Sequence, residues 1–263
     1  MAERRQGRGR PGGERRGGER PGRRGDAPAE RGLLYGRNPV HEALRAARRP
    51  VRRIWATAAA AREPWLAGAS VPVEVVDAEE VEAKAGTTAH QGVCADVAPY
   101  PYADAARLLA APDPFLVVLD EVQDPQNLGA IARTAECAGV TGLLIPERRS
   151  AEVTPAACKA SAGAVEHLAI ARVRNVADAL LEAKEAGCWV YGAAADGVDH
   201  TTPDYRGGCV LVLGAEGRGL RPRVRDACDE VVGLPLRGRI DSLNVSAAAA
   251  VLIYGALQAR LRA

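Results

Sequence analysis

The sequence predicts an α/β protein: a large parallel-sheet domain from about Phe115 onward, with a small αβ domain in front of it. Three observations predict it. Phe115-Leu116-Val117-Val118-Leu119-Asp120 is apolar without alternation, as a strand buried on both faces of a parallel sheet must be. Comparable runs recur at 140–145, 167–171, 188–193, 209–213 and 230–234, with helical segments between most of them. The strand candidates ahead of Phe115, at 54–57, 73–76 and 92–97, are short and separated by Ala-rich or acidic helix-like pieces.

Taken in order, residues 1–31 are almost wholly Arg, Gly, Glu and Pro, and bury too little apolar surface to offset chain entropy; disorder is expected. The first folded part spans 32–98. It opens on a helix for which Asn38 is the expected cap and Pro39 the first helical residue, followed by Val40, Ala43, Leu44 and Ala47 at helical spacing. Residues 99–114, with Tyr100, Pro101 and Tyr102, read as a linker carrying a short helix at 103–111. The second part spans 115–263, with helices expected at 128–138, 155–164, 176–186 and 222–227 and a long last helix at 245–261.

The chain carries 35 basic and 33 acidic residues. Ten Arg against four Glu and one Asp fall in 1–31, leaving 25 basic against 28 acidic beyond it, so the positive charge is concentrated in the tail. Such an Arg/Gly tail suits loose, salt-sensitive contact with RNA phosphates; it equally suits a solubilising extension, since only three of the 35 basic residues are Lys. The six cysteines never fall closer than nineteen apart, so reduced core thiols are expected and a metal site is not. No run of eighteen apolar residues occurs and the N-terminal segment has no apolar stretch, so neither a membrane span nor a signal peptide is expected, and the expected compartment is the cytoplasm.

The informative polar residues gather in three loops at strand ends, where open parallel sheets bind ligands. In the first, Asp120 to Thr134, Asn127 reads as a helix cap or a site residue, while Arg133 sits among Leu128, Ala130, Ile131, Ala132 and Ala135 and wants a carboxylate or phosphate. In the second, Gly214-Ala215-Glu216-Gly217-Arg218-Gly219, three glycines around one Glu permit close backbone approach to a ligand. In the third, Leu234 to Ala247, Ser242 or Asn244 is a cap candidate for the last helix, and Leu234, Leu236, Ile240 and Leu243 bracket a cleft fit for a flat aromatic ligand.

Together, Asp124-Pro125-x-Asn127-x-Gly129-Ala130-Ile131-x-Arg133-Thr134, Gly214-x-Glu216-Gly217-x-Gly219 and Ser242-Leu243-Asn244-Val245-Ser246 resemble, in order and spacing, the three signature motifs of the SpoU (TrmH) branch of the SPOUT RNA methyltransferases. Upstream, Leu34-Tyr35-Gly36-x-Asn38-Pro39-Val40-x-Glu42-Ala43-Leu44 and His90-Gln91-Gly92-Val93 resemble the ends of the L30e-like RNA-binding domain of bacterial 23S rRNA guanosine 2′-O-methyltransferases. The resemblance implies a trefoil-knotted catalytic domain, S-adenosylmethionine as cofactor, no metal, a homodimer, and 2′-O-ribose methylation of RNA, with a guanosine of 23S rRNA as target. It implies that Gly214, Leu234 and Leu243 grip the cofactor and that Asn127, Arg133, Glu216, Ser242 and Asn244 form the polar active site. Arg133 stays charged, so holding a phosphate beside the 2′-hydroxyl suits it better than taking a proton. Glu216 is left as a base or as an orienter of Arg133 or Asn127. Competing readings are the same chemistry on tRNA or at a site of ribosome-antibiotic resistance, a non-catalytic RNA-binding ribosome-assembly protein, and a nucleotide-binding α/β protein unrelated to RNA.

Overall fold

The structure is a computed structural model and describes residues 32–215 and 217–262. The Arg/Gly-rich tail and Glu216 lie outside the described residues.

The first part is a four-stranded sheet in the order β1 (Gly32–Tyr35), β4 (Val93–Val97), β2 (Val51–Ala56), β3 (Val73–Val75), with α1 (Arg37–Ala46), α2 (Pro64–Ala67) and α3 (Ala78–Ala85) between the strands. The sheet is mixed: β4 pairs antiparallel with both β1 and β2, and β3 pairs parallel with β2. The helix α1 starts earlier than expected, with Gly36 rather than Asn38 at its cap. Gly36 takes φ 95°, a conformation open to glycine, and its N–H is held by the Val93 carbonyl at 2.9 Å, so the chain turns directly from β1 into helix, and Gln91 Oε1 accepts the first helical N–H, that of Arg37, at 3.2 Å.

After α4 (Ala105–Leu109) the second sheet begins. Its six strands, all parallel, run β10 (Glu230–Gly233), β8 (Trp189–Asp199), β9 (Cys209–Gly214), β5 (Phe115–Asp120), β6 (Gly142–Pro146), β7 (Ile170–Val173). Every residue of β5 is buried. Phe115, Val117 and Leu119 pack on one face beneath α5 (Pro125–Cys137), α6 (Pro155–Ala160) and α9 (Val245–Leu261). Leu116 and Val118 pack on the other beneath α7 (Val176–Glu185) and α8 (Pro222–Asp226). Chain order reverses at β5: the next two strands go to one side, and β8 to β10 return on the other. The loops after β5 and β9 therefore leave neighbouring strand ends, the position where such sheets bind ligands.

The two parts are joined through a buried ion pair. Arg49, just ahead of β2, reaches the Glu166 carboxylate with Nε at 3.0 Å from Oε2 and Nη2 on Oε1. Both side chains are at most 5% exposed. The Arg49 guanidinium also meets the Ala98 carbonyl and the face of Tyr100, whose hydroxyl donates to Val165 and Leu168 carbonyls. Burial pushes the adjacent Cys158 thiol up to about 12.

Candidate functional site at the carboxyl ends of the sheet

The helix α5 opens at Asp124, whose carboxylate accepts the Gln126 N–H at 2.8 Å. The expected cap, Asn127, lies instead in the first turn, 7% exposed. It is the residue between them, Pro125, that fixes the start, because proline fits the first helical position. Asn127 is thereby released for another task. Asn244 donates from Nδ2 to Asn127 Oδ1 at 3.0 Å. Asn244 is the cap of α9: its Oδ1 accepts from Ser246 N at 2.9 Å and Ala247 N at 3.3 Å. Capping fixes which end of the amide faces the helix, so Nδ2 is necessarily the end that meets Asn127.

The glycine loop after β9 folds onto itself. Gly219 N–H donates to the Ala215 carbonyl at 2.9 Å, and Gly217 and Gly219 have φ 74° and 65°. A Cβ on Gly214 would lie 2.2 Å from Gly219 C and 2.3 Å from its O. Gly214 is thus required by the loop's own closure, and the space a side chain would need is filled by backbone rather than left for a ligand. The other motif glycine, Gly129, has the same kind of cause: its Cβ would meet Ala157 O at 2.6 Å, where α5 rests on α6.

Three adjoining cavities line the strand ends. The first, ≈ 480 Å³, lies between the ends of β8, β9 and β10 and the start of α9, and takes in Gly214, Leu234, Ser242 and Leu243. Leu243 is 47% exposed and Ser242 exposed, its hydroxyl 3.4 Å from Asp241 Oδ1. The second, ≈ 360 Å³, lies between the ends of β9 and β5 and is lined by Asn127, Asp124 and Glu121; it shares Ala215, Arg218 and Val245 with the first. The third, ≈ 340 Å³, shares Glu121 with the second.

Arg133 is not brought into this line. It lies about 240° round α5 and ~9 Å along it from Asn127, on the exposed side, and among the described residues it has neither a hydrogen bond nor an ion pair. Thr134 beside it spends its hydroxyl on the Ala130 carbonyl at 3.1 Å.

Two residues at the site escaped the sequence reading. Glu121 follows β5 in the left-handed region at φ 63°, uncommon for a residue with a Cβ, and its buried Oε1 has no hydrogen-bond partner among the described residues. Asp120, fully buried, is held by Arg221 through N at 3.0 Å, Nε at 2.8 Å and Nη2 at 2.6 Å. Nε and Nη2 both meet Oδ1 and the backbone N–H donates to Oδ2; the contact raises the Arg221 pKa and secures the β5 loop to the segment behind the glycine loop. Among the described residues no group of His, Cys, Asp and Glu could hold a metal ion, and no helix is long and apolar enough to cross a membrane.

Comparison with known proteins gives one family. Residues 114–254 match the SpoU rRNA Methylase family and residues 33–103 match the RNA 2′-O ribose methyltransferase substrate binding family. A Bacillus subtilis protein described as a TrmH family tRNA/rRNA methyltransferase is 44% identical over 174 residues, 64% of this chain and 70% of its own. An uncharacterized tRNA/rRNA methyltransferase of Mycobacterium marinum is 40% identical over 232 residues, 84% of this chain and 74% of its own. The crystal structure of a SpoU methyltransferase from Streptomyces viridochromogenes in complex with AdoMet superposes with TM-score 0.75 at 26% identity, covering 89% of this chain and 92% of that one.

Proposed function

This chain belongs to the SpoU (TrmH) family of RNA methyltransferases, and on that premise we propose that it methylates ribose 2′-hydroxyls of RNA from S-adenosylmethionine, with a guanosine of 23S rRNA as target. The single observation that supports the reading best is the Asn127–Asn244 bond, which ties the first and third signature segments together beside the cavity shared with the glycine loop.

The first cavity suits the cofactor. Leu234, Leu236 and Leu243 offer apolar walls for an adenine, the backbone of Gly214 to Gly219 lies along one side, and ≈ 480 Å³ falls within the usual range for small-molecule sites. The residues present fit the group. S-adenosylmethionine supplies, when bound, a sulfonium methyl for attack by oxygen. This chain's residues then have to orient. Gly214, Leu234 and Leu243 hold the cofactor, and Asn127, bonded to Asn244, lines the second cavity, where the acceptor ribose is to sit. Ser242, exposed, lines the first cavity. Glu216 completes this polar set as base or orienter. Holding the two reactants in line supplies much of the rate.

Arg133 enters through a second copy. In α9 the exposed Val251, Tyr254 and Leu261 recur at helical spacing and form an apolar stripe suited to a homodimer contact. A partner's Arg133 reaching the second cavity would place its guanidinium on an RNA phosphate beside the 2′-hydroxyl. The N-terminal domain, 32–98, is assigned to recognition of the RNA, joined by linker 99–114 to the catalytic domain, 115–263. Cytoplasmic location accords with that substrate. The relatives' shared tRNA/rRNA description favours keeping tRNA as the second target.

Ribose-methylation mapping of 23S rRNA and tRNA from cells with and without the protein tests the target. One 2′-O-methylguanosine in 23S rRNA that disappears with the protein is expected; an unchanged 23S map with a lost tRNA ribose methyl reassigns the substrate.

A further inference from the structure

The third cavity is a recess of arginines. Arg148 and Arg149 follow β6, Arg174 follows β7, and Arg221 and Arg223 flank the start of α8; Glu121 is the one acidic residue among its described lining residues. Three of these arginines are committed to carboxylates. Arg221 holds Asp120 and lies 3.4 Å from Glu121, Arg149 lies 3.5 Å from Glu121, and Arg223 pairs with Asp178 at 2.7 Å. Arg148 and Arg174, both exposed, have no hydrogen bond or ion pair among the described residues, and Glu147, next to Arg148, does not line the recess. The backbone that carries them is pinned. Ala151 N–H donates to the Val122 carbonyl at 2.8 Å, Ser150 Oγ donates to the same carbonyl at 3.3 Å, and Glu147 N–H donates to the Val173 carbonyl at 2.9 Å. Two guanidiniums without a partner among the described residues thus project from a pinned backbone, in a chain whose residues beyond 31 carry 25 basic against 28 acidic side chains.

Position decides what they are for. The recess adjoins the second cavity through Glu121, and the wall between the first two cavities carries a further exposed arginine, Arg218. From the end of β9 to the end of β6 is two strand spacings, ~10 Å, so the recess opens beside the proposed ribose position rather than on a remote face. Planar guanidiniums in a shallow recess match phosphodiester oxygens, and phosphate contacts fix where a strand lies without reading its sequence.

We propose that this arginine recess is a phosphate subsite: Arg148 and Arg174 hold the RNA backbone flanking the target nucleotide and so place its ribose in the second cavity. The inference rests on the RNA 2′-O-methyltransferase reading above. Both arginines are positioning residues, since neither touches the reacting atoms.

The test uses the full chain, labelled S-adenosylmethionine, and total RNA from cells lacking the protein, so that ribosomal and transfer RNA are both present. Arg148→Ala with Arg174→Ala should raise the apparent KM for RNA at least ~10-fold, as losing contacts to a charged group does. The same variant should leave kcat within about twofold and leave the affinity for S-adenosylhomocysteine unchanged. With two phosphate contacts gone, the log–log salt slope of kcat/KM should become shallower by about 1.4. Lysine at both positions should restore most of that slope, because a point charge still attracts phosphate. Arg107→Ala with Arg206→Ala, which removes equal charge near the amino ends of the strands, should change neither quantity. An alanine pair with native KM and slope overturns the inference, and so does an equal effect from the Arg107 and Arg206 pair. Wild-type protein that methylates no RNA refutes the underlying reading and this one with it; active wild type with an indifferent alanine pair refutes this one alone.

Discussion

Asn244 serves two purposes with the two ends of one amide, and substitution can separate them. Its Oδ1 caps α9 by accepting from Ser246 N and Ala247 N at 2.9 and 3.3 Å, while Nδ2 donates to Asn127 Oδ1 at 3.0 Å. Asn244→Ala removes both. Loss of a cap costs about 1 kcal/mol, and a chain of this size loses roughly 2–4 °C of melting temperature per kcal/mol. Asn244→Asp keeps the cap acceptor and adds a negative charge at a helix N-terminus, worth ~0.3–1 kcal/mol in its favour. It also sets a carboxylate oxygen against Asn127 Oδ1 where a donor stood. Contact can be regained only by turning the Asn127 amide over, which re-aims the group lining the second cavity. Urea denaturation and methyl transfer on the same preparations read the two effects separately. The aspartate variant should be within about 0.5 kcal/mol of native stability and at least ~10-fold slower, about 1.4 kcal/mol of transition-state stabilisation. The alanine variant should be both slow and less stable. Near-native turnover of the aspartate variant would refute the role given to Nδ2, and stability lost equally in both would refute the capping argument.

Gly214→Ala should unseat the glycine loop, since its Cβ would lie 2.2 Å from Gly219 C, and calorimetry should show S-adenosylhomocysteine binding lost while circular dichroism stays native. Arg133→Lys keeps charge but not the planar fork; cofactor binding should survive and turnover should fall at least ~100-fold, roughly 2.7 kcal/mol. Arg49→Met leaves the Glu166 carboxylate buried and unpaired, which should cost ~3–5 kcal/mol in denaturant melts, with Glu166→Gln on the same chain recovering part of it. Iodoacetamide at pH 8 should label exposed Cys137 and spare Cys158 and Cys209, whose thiols burial pushes up to about 12: thiolate appears only as pH rises towards that value, so at pH 8 almost none is present.

What could be read from sequence was whatever local pattern determines. The strand β5 has the bounds expected of it, 115–120, because an unbroken apolar run has only one use in a parallel sheet. The last helix, 245–261, also matches, since Asn244 caps a long run of good helix formers. Long-range pairing had no such signal. The strand β1 is four residues beside an Arg-rich segment, and its existence depends on pairing with β4 some sixty residues on. The strands at 170–173 and 189–199 are displaced or lengthened relative to expectation because the 3-10 turn at 164–166 runs on into a turn at 167–168, where one was expected to begin, while the other continues through a register shift against β10.

The site divides in the same way. Gly214, Leu234 and Leu243, expected to grip the cofactor, line one cavity together with Ser242, expected in the polar set. The reason for Gly214 was not legible, because the atom it must avoid belongs to its own loop. The Asn127–Asn244 contact joins residues 117 apart, and a capping role for Asn127 looked equally good until Asp124 and Pro125 claimed the helix start. Glu121 in the left-handed region carries no sequence signal, since that conformation is imposed by the loop rather than preferred by glutamate. Arg133 stood out as a lone charge on an apolar helix, but only the fold shows that it has no partner among the described residues.

The most direct test of ribose 2′-oxygen chemistry is to identify the methylated product. Purified protein, S-adenosylmethionine labelled in the methyl group and RNA from cells lacking the protein should be incubated together, and the RNA then digested to nucleosides and resolved by mass spectrometry. Label confined to 2′-O-methylguanosine, and absent with Asn127→Ala, is the expected result. Label on a base, or on no nucleoside at all while the protein binds the cofactor, would contradict it.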